Sequence, residues 1–380
     1  MLNRHVGFLL TTASLLAAAA PAALAAGSTE RVSVSSHGVQ GDNDSGDFGG
    51  VAVSADGRFV AFDSFATDLV AGAAKGVDQV YVRDRKLGTT EQASVSSRGA
   101  KAGTSSIDPS ISADGRFVAF EWNVTNPLND VFVRDRKLGK TERVSVSSRG
   151  KRANGGSDLP SISADGRFVA FSSFATDLVP GDTNRGRCSK DSPHCGLDVF
   201  VRDRKTGTTE RVSLSWRGEQ GDGDSGLFGV AISADGRFVA FDSDATNLVP
   251  GDTNPLGDVF VHDRLRGTTE RVSVGPGGVQ ADDGSVGPSI SAHGRFVAFE
   301  SDATNLVPGD SNGARDIFVR DRKLGKTERV SVSSRGRQGD GDSFVAAISA
   351  DGRVVGFESE ATDLVPGDTN GKQDVFVHIR

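Results

Sequence analysis

Short runs in which β-branched and aromatic residues alternate with polar ones recur along the whole chain, each bounded by Gly, Asp, Asn or Pro. Alternation with a period of two over four to eight residues predicts half-buried strands, and no stretch of the repeats shows helical spacing of its apolar positions. The runs are copies of three phrases. SADGRFVAF begins at Ser54, Ser112, Ser163 and Ser233, and again at Ser291 with His293 in place of the aspartate and at Ser349 as SADGRVVGF. DVFVRDR or a variant begins at Asp78, Asp130, Asp198, Asp258, Asp316 and Asp374, and TERVSVS or a variant at Thr29, Thr90, Thr141, Thr209, Thr269 and Thr327. One unit therefore predicts strand A in a PSISA-like segment, an Ala-Asp-Gly turn, strand B in RFVAF, a long loop, strand C in DVFVRD, a Lys-Leu-Gly-type turn and strand D in TERVSVS. Self-similarity at roughly fifty to seventy residues, with four strands per unit, predicts propeller blades.

The ends of the chain sharpen that expectation. The sixth unit stops at Arg380 after its strand C, whereas Thr29–Ser35 is a strand D with no strands before it. We expect an all-β, six-bladed propeller over residues 27–380, closed by the N-terminal strand pairing beside Asp374–Val377. A linear solenoid would need capped ends and no such exchange.

Ahead of the repeats, Arg4 and His5 lead into an apolar run from Val6 to Ala20, then Pro21 and Ala23-Leu24-Ala25. Residues 1–26 read as a secretory signal peptide, which predicts an exported protein, periplasmic or secreted. No stretch is apolar enough to predict a membrane span. The net charge of -7 argues against a nucleic-acid partner, which wants a basic patch. Glycine, 48 residues in all, serves turns, while one Met and two Trp leave Val and Phe to build the core. The only cysteines, Cys188 and Cys195, lie in an insertion at 185–197 and predict a disulfide in an exported chain. The rival reading is a metal site formed by Cys188, His194 and Cys195.

SADGRFVAF followed by DVFVRDR resembles the WD40-like, or PD40, repeat of TolB-type propellers, whose blades read SPDGxxIAF and then DIYxxD. The resemblance covers essentially all of residues 27–380, with Ala for Pro before Asp56, Asp114, Asp165, Asp235 and Asp351. It implies the propeller fold far more than a function.

In such a fold the A–B and C–D hairpins share one face, and the long B–C and D–A loops share the other. The second face varies between units and is acidic: Asp42, Asp44 and Asp47, Asp222 and Asp224, Asp282 and Asp283, and Asp340 and Asp342 lie in its D–A loops. Converging carboxylates favour a cation or a basic partner, although Asp beside Gly also simply makes turns. The B–C loops offer oxygen ligands at calcium-like spacing in Asp252, Asn254 and Asp258, in Asp310, Asn312 and Asp316, and in Asp368, Asn370 and Asp374; Asp182, Asn184 and a displaced Asp198 form a fourth set. The closing bidentate Glu of the calcium loop is missing, and an Asx-turn opening strand C is the alternative. Histidines fall at unrelated blade positions, and no GxSxG elbow with a candidate base is evident. The expected function is a monomeric, non-catalytic binding module for a protein, peptide or glycan, with calcium as a candidate ligand. The alternative is a calcium-dependent hydrolase or lactonase with a metal at the tunnel mouth.

Overall fold

The computed structural model describes residues 30–46, 51–101, 103–125, 128–183, 196–254, 256–368 and 371–380. The N-terminal segment 1–26 and the pair Cys188 and Cys195 lie outside these residues, as do Asp47, Asn184 and Asn370.

Residues from Val32 onward form six antiparallel sheets, one per repeat. Blade one holds β1 (Val51–Val53), β2 (Phe59–Ser64), β3 (Gln79–Asp84) and β4 (Thr89–Gln92), and blade two β5 (Ser106–Ile111), β6 (Phe117–Thr125), β7 (Leu128–Asp135) and β8 (Lys140–Arg143). Blade three holds β9 (Ser157–Ile162), β10 (Phe168–Ser173), β11 (Asp198–Asp203) and β12 (Thr208–Arg211), and blade four β13 (Ser225–Ile232), β14 (Phe238–Ser243), β15 (Asp258–Asp263) and β16 (Thr268–Arg271). Blade five holds β17 (Ser285–Ile290), β18 (Phe296–Ser301), β19 (Asp316–Asp321) and β20 (Lys326–Arg329). Blade six contributes β21 (Ser343–Ile348), β22 (Val354–Ser359) and β23 (Asp374–Ile379). Strands A to D pair in sequence order throughout, as the repeat predicts. The expected pairing of Thr29–Ser35 with β23 is not among the described strand pairs. Thr29 lies outside the described residues, and Val34 makes an isolated bridge to Gln40.

The SADGRF phrase builds its own turn. In blade one Ser54 Oγ donates to Asp56 Oδ1 at 2.8 Å and accepts from Phe59 N at 2.9 Å, while Gly57 takes φ +70°, where any Cβ is strained. The alanine carries the ring onward, because Ala55, Ala113, Ala164, Ala234 and Ala292 each donate a backbone hydrogen bond of 3.0 Å to the equivalent alanine of the next blade. The core lies between blades. One cluster joins Ala119, Val131 and Val133 of blade two to Val169, Phe171 and Phe200 of blade three.

The repeated arginines serve the same seams. Arg58 forms a bidentate pair with Asp84 of its own blade, with a shortest contact of 2.6 Å, and Arg136 reaches back to Glu91 of the preceding blade at 2.5 Å. Both guanidinium groups lie over the Phe59 ring, 4.6 and 4.5 Å from its centroid, which is cation–π geometry. Outside this sandwich, the threonine at the second position of each described strand D ties neighbours together: Thr90, Thr141, Thr209, Thr269 and Thr327 each donate from Oγ1 to a carbonyl of the preceding repeat at 2.5–2.6 Å.

Candidate functional site at the channel mouth

The D–A aspartates of the loop face are occupied by their own backbone. Asp42, Asp222, Asp282 and Asp340 each accept from the N–H and Oγ1 of one threonine in the following B–C loop, Thr67, Thr246, Thr304 and Thr362 respectively, at 2.6–3.0 Å. Asp224 Oδ1 accepts from Gly196 N and Leu197 N, Asp342 Oδ1 from Arg315 N, and Asp283 Oδ1 from Gly284 N. Asp44 offers its carbonyl to Phe65 N and Ser64 Oγ. These aspartates clasp D–A loops to B–C loops, so the turn chemistry of the sequence is what the geometry displays.

The B–C sets converge on a guanidinium. Arg271 Nη1 lies 2.9 Å from Asp258 Oδ2 and 3.2 Å from Asp252 Oδ1, and Gln280 Nε2 donates to the same two carboxylates at 3.1 and 2.7 Å. Ser273 Oγ donates to the other Asp258 oxygen at 2.6 Å. Asn254 points its Nδ2 at Ala281 O. In blade five Arg329 Nη1 is 3.0 Å from both Asp310 and Asp316, while Asn312 donates to Gly339 O at 3.0 Å. In both sets a guanidinium from strand D, joined by the amide of Gln280 or Gln338, contacts the carboxylate oxygens that the spacing offers to calcium, so the fold itself supplies a cation there. Asp368 and Asp374 line a surface hollow with Val365 and Phe376, and Asn370 falls outside the described residues. No group of three or more His, Cys, Asp or Glu with metal-holding geometry is present among the described residues. His262, which replaces a strand-C arginine, is buried and bonds Thr269 Oγ1 through Nδ1 at 2.9 Å, the partner that arginine reaches in other blades.

Sequence reasoning offered the tunnel mouth as an alternative site but named none of the residues that line it. Strand B continues past its FVAF phrase into an inward-facing residue, and in four blades that residue is a buried acid: Asp63, Glu121, Asp242 and Glu300. An acid directly following the most apolar strand was the available signal. Opposite these acids the inner strands bulge. Asp108, Leu159 and Val345 hold φ of 51–52° at the third residue of their strands, and Gly287 takes the same place at +61°. Such values are strained for Leu and Val, and register shifts mark each bulge.

The acids hold the bulges in place. Glu300 accepts from Val345 N at 2.9 Å across the seam between blades five and six. Blade four has a longer inner strand, and Asp242 there accepts from Leu227 N, Phe228 N and Gly229 N at 2.7–3.1 Å. Burial pushes Asp242 up to about 7 in spite of those three donors. Burial also pushes Asp108 up to about 7, reinforced by Asp63 and Asp158. Glu121 and Asp158 hydrogen-bond to each other across the seam between blades two and three, with Asn129 Nδ2 donating to Asp158 Oδ1 at 3.1 Å, and burial raises both. A pair of buried carboxyl groups in contact holds a shared proton, since both cannot ionise cheaply.

The pH consequence has a definite sign. The folded state binds protons at these raised carboxyls more tightly than the unfolded chain, whose carboxyls titrate near about 4. Their contribution is complete below that range and is lost as pH rises through the folded values. Glu121→Gln removes one titrating member and keeps a hydrogen-bonding group, so its unfolding free energy should fall less steeply than that of the unmodified protein between about pH 5 and about pH 9. Parallel slopes from urea unfolding at a series of pH values would show that Glu121 carries no such proton.

A cavity of about 330 Å³ opens among these groups, lined by inner-strand residues of five consecutive blades, including Asp108, Pro109, Pro160, Phe228 and Pro288, together with Glu300 of strand B. Phe228 stands 63% exposed at this mouth.

No family model and no curated protein matches the sequence. Solved structures match in fold. TolB from Acinetobacter baumannii is 15% identical over 76% of this chain and 58% of its own length, with a TM-score of 0.44. An oligogalacturonate lyase in complex with manganese is 14% identical over 86% of this chain and 76% of its own, with a TM-score of 0.51. The β-propeller domain of the Trilobed protease from Pyrococcus furiosus, with an open velcro topology, is 10% identical over 86% and 81%, at 0.51. The protein is thus an all-β, six-bladed propeller. No helix among the described residues is long and apolar enough to cross a membrane.

Proposed function

We propose that this protein is an exported, non-catalytic binding module that captures a basic segment of a protein or peptide at the channel mouth of its loop face. The observation that carries this reading is Phe228, an exposed aromatic ring on the inner strand β13, where three successive N–H groups are pinned by the buried Asp242. A ring held rigidly in the open loses little entropy on binding, which is how aromatic anchors serve recognition. The carboxyl groups of Asp108 and Glu300 line the same cavity, and a cationic side chain placed against the ring would favour their charged form. Export rests on the sequence of residues 1–26.

Titration with short Lys- and Arg-rich peptides carrying one aromatic residue, against acidic peptides of equal length, tests this. Only the basic peptides should bind, with salt-sensitive affinity, and Phe228→Ala should weaken binding at least about tenfold, in the range of a buried aromatic anchor, while leaving the unfolding midpoint in place. Equal affinity of the variant and the unmodified protein would rule out the channel mouth as the site.

A further inference from the structure

We infer that the opposite, hairpin face of the propeller docks on an anionic lipid surface through the tips of its C–D turns. In the register of every complete blade the last residue of strand C pairs with the first of strand D, as in Asp84 with Thr89 and Asp321 with Lys326, so the tips project alike on one face. Four tips carry leucines that are 66–78% exposed: Leu87, Leu138, Leu265 and Leu324.

The turn itself does not ask for leucine. Its geometry is set by the strand-C aspartate, whose Oδ1 accepts from the next two tip N–H groups, Lys86 and Leu87 in blade one, and by Gly88 at φ +67°. Thr206 and Arg266 take the place of Leu87 in blades three and four with the same fold. An exposed leucine on a rigid turn costs solvation and serves no packing, so its recurrence at four tips marks a contact surface.

Charge selects the occupant. Each of these leucines has an exposed base beside it, namely Lys86, Lys137, Arg266 and Lys323. Arg266 lies 3.8 Å from Asp263, and the aspartates of all four tips are engaged by Arg58, Arg116, Arg237 and Arg295. An outer ring of apolar tips, each flanked by a cation, complements the acidic headgroups and the shallow apolar layer of an anionic bilayer surface. The acidic loop face then points away from that surface, leaving the channel mouth open.

Flotation of the full chain with vesicles of phosphatidylglycerol and phosphatidylcholine, against phosphatidylcholine alone, tests the inference. The protein should float with the anionic vesicles and be released by salt, and replacing all four leucines by serine should abolish the charge-selective fraction. Each of Lys86, Lys137 and Lys323 changed to Gln should lower that fraction's partitioning about fivefold, the equivalent of roughly 1 kcal/mol per basic residue near such a surface. The variants should unfold at the same urea midpoint, because the tips make no core contacts. Unchanged flotation of the serine variant, no preference for anionic vesicles, or tip-dependent self-association without vesicle binding would each overturn the inference.

Discussion

Gly166→Ala lowers the stability of the propeller by about 3 kcal/mol, the sum of roughly 1 for a side chain in the left-handed region and roughly 2 for an overpacked contact. Gly166 sits in the A–B turn of blade three at φ +72°, and a Cβ added there would lie 2.1 Å from Cδ2 of Phe117 in blade two. The ring cannot retreat, because Arg116 and Arg204 lie over it at 4.6 Å. The same contact recurs between Gly115 and Phe59, Gly236 and Phe168, Gly294 and Phe238, and Gly352 and Phe296, so the glycine of SADGRF serves the neighbouring blade as well as its own turn. Gly150→Ala is the matched control, with φ +75° and nothing within 4 Å of the added Cβ. It should cost only the backbone component, about 1 kcal/mol. Urea unfolding of both variants separates the two contributions; equal losses would mean that the seam relaxes around the added methyl.

Removing Arg271 has a comparable effect by a different route. Asp258 is 2% exposed, and burial pushes its carboxyl above the usual range against the opposing pull of Ser273 and Arg271. Arg271→Ala leaves Asp258 and Asp252 facing each other without a guanidinium, an uncompensated buried charge that costs about 3–5 kcal/mol. Thermal unfolding of the unmodified protein should have the same midpoint in excess calcium and in chelator. A calcium-dependent rise in that midpoint would show the ion displacing the guanidinium and would return the B–C loops to metal binding.

The strand content, the blade count and the positions of both hairpin turns were legible in the repeats, because alternation of apolar and polar residues and the Asp-Gly turn chemistry act over a few neighbouring residues. The loop aspartates were legible only as residue types. Asp252 and Asp258 have calcium-like spacing, yet Arg271 and Gln280, 13 to 28 residues further along, supply what a metal would supply. Spacing along the chain carries no record of a cation arriving from the next strand or the next blade.

By itself, the sequence determined a propeller: six copies of the SADGRF phrase, a strand period of two, and glycines where turns need positive φ. Tertiary structure alone decided where the chemistry lies. Phe228 is one aromatic among 22 phenylalanines in the sequence, and only the three N–H bonds to Asp242 hold it open at the channel mouth. Glu121 and Asp158 belong to different repeats, and only the closeness of blades two and three makes them share a proton. Burial and charge neighbourhood are properties of the packed ring, and they set both the carboxyl protonation and the exposed aromatic that together define the site.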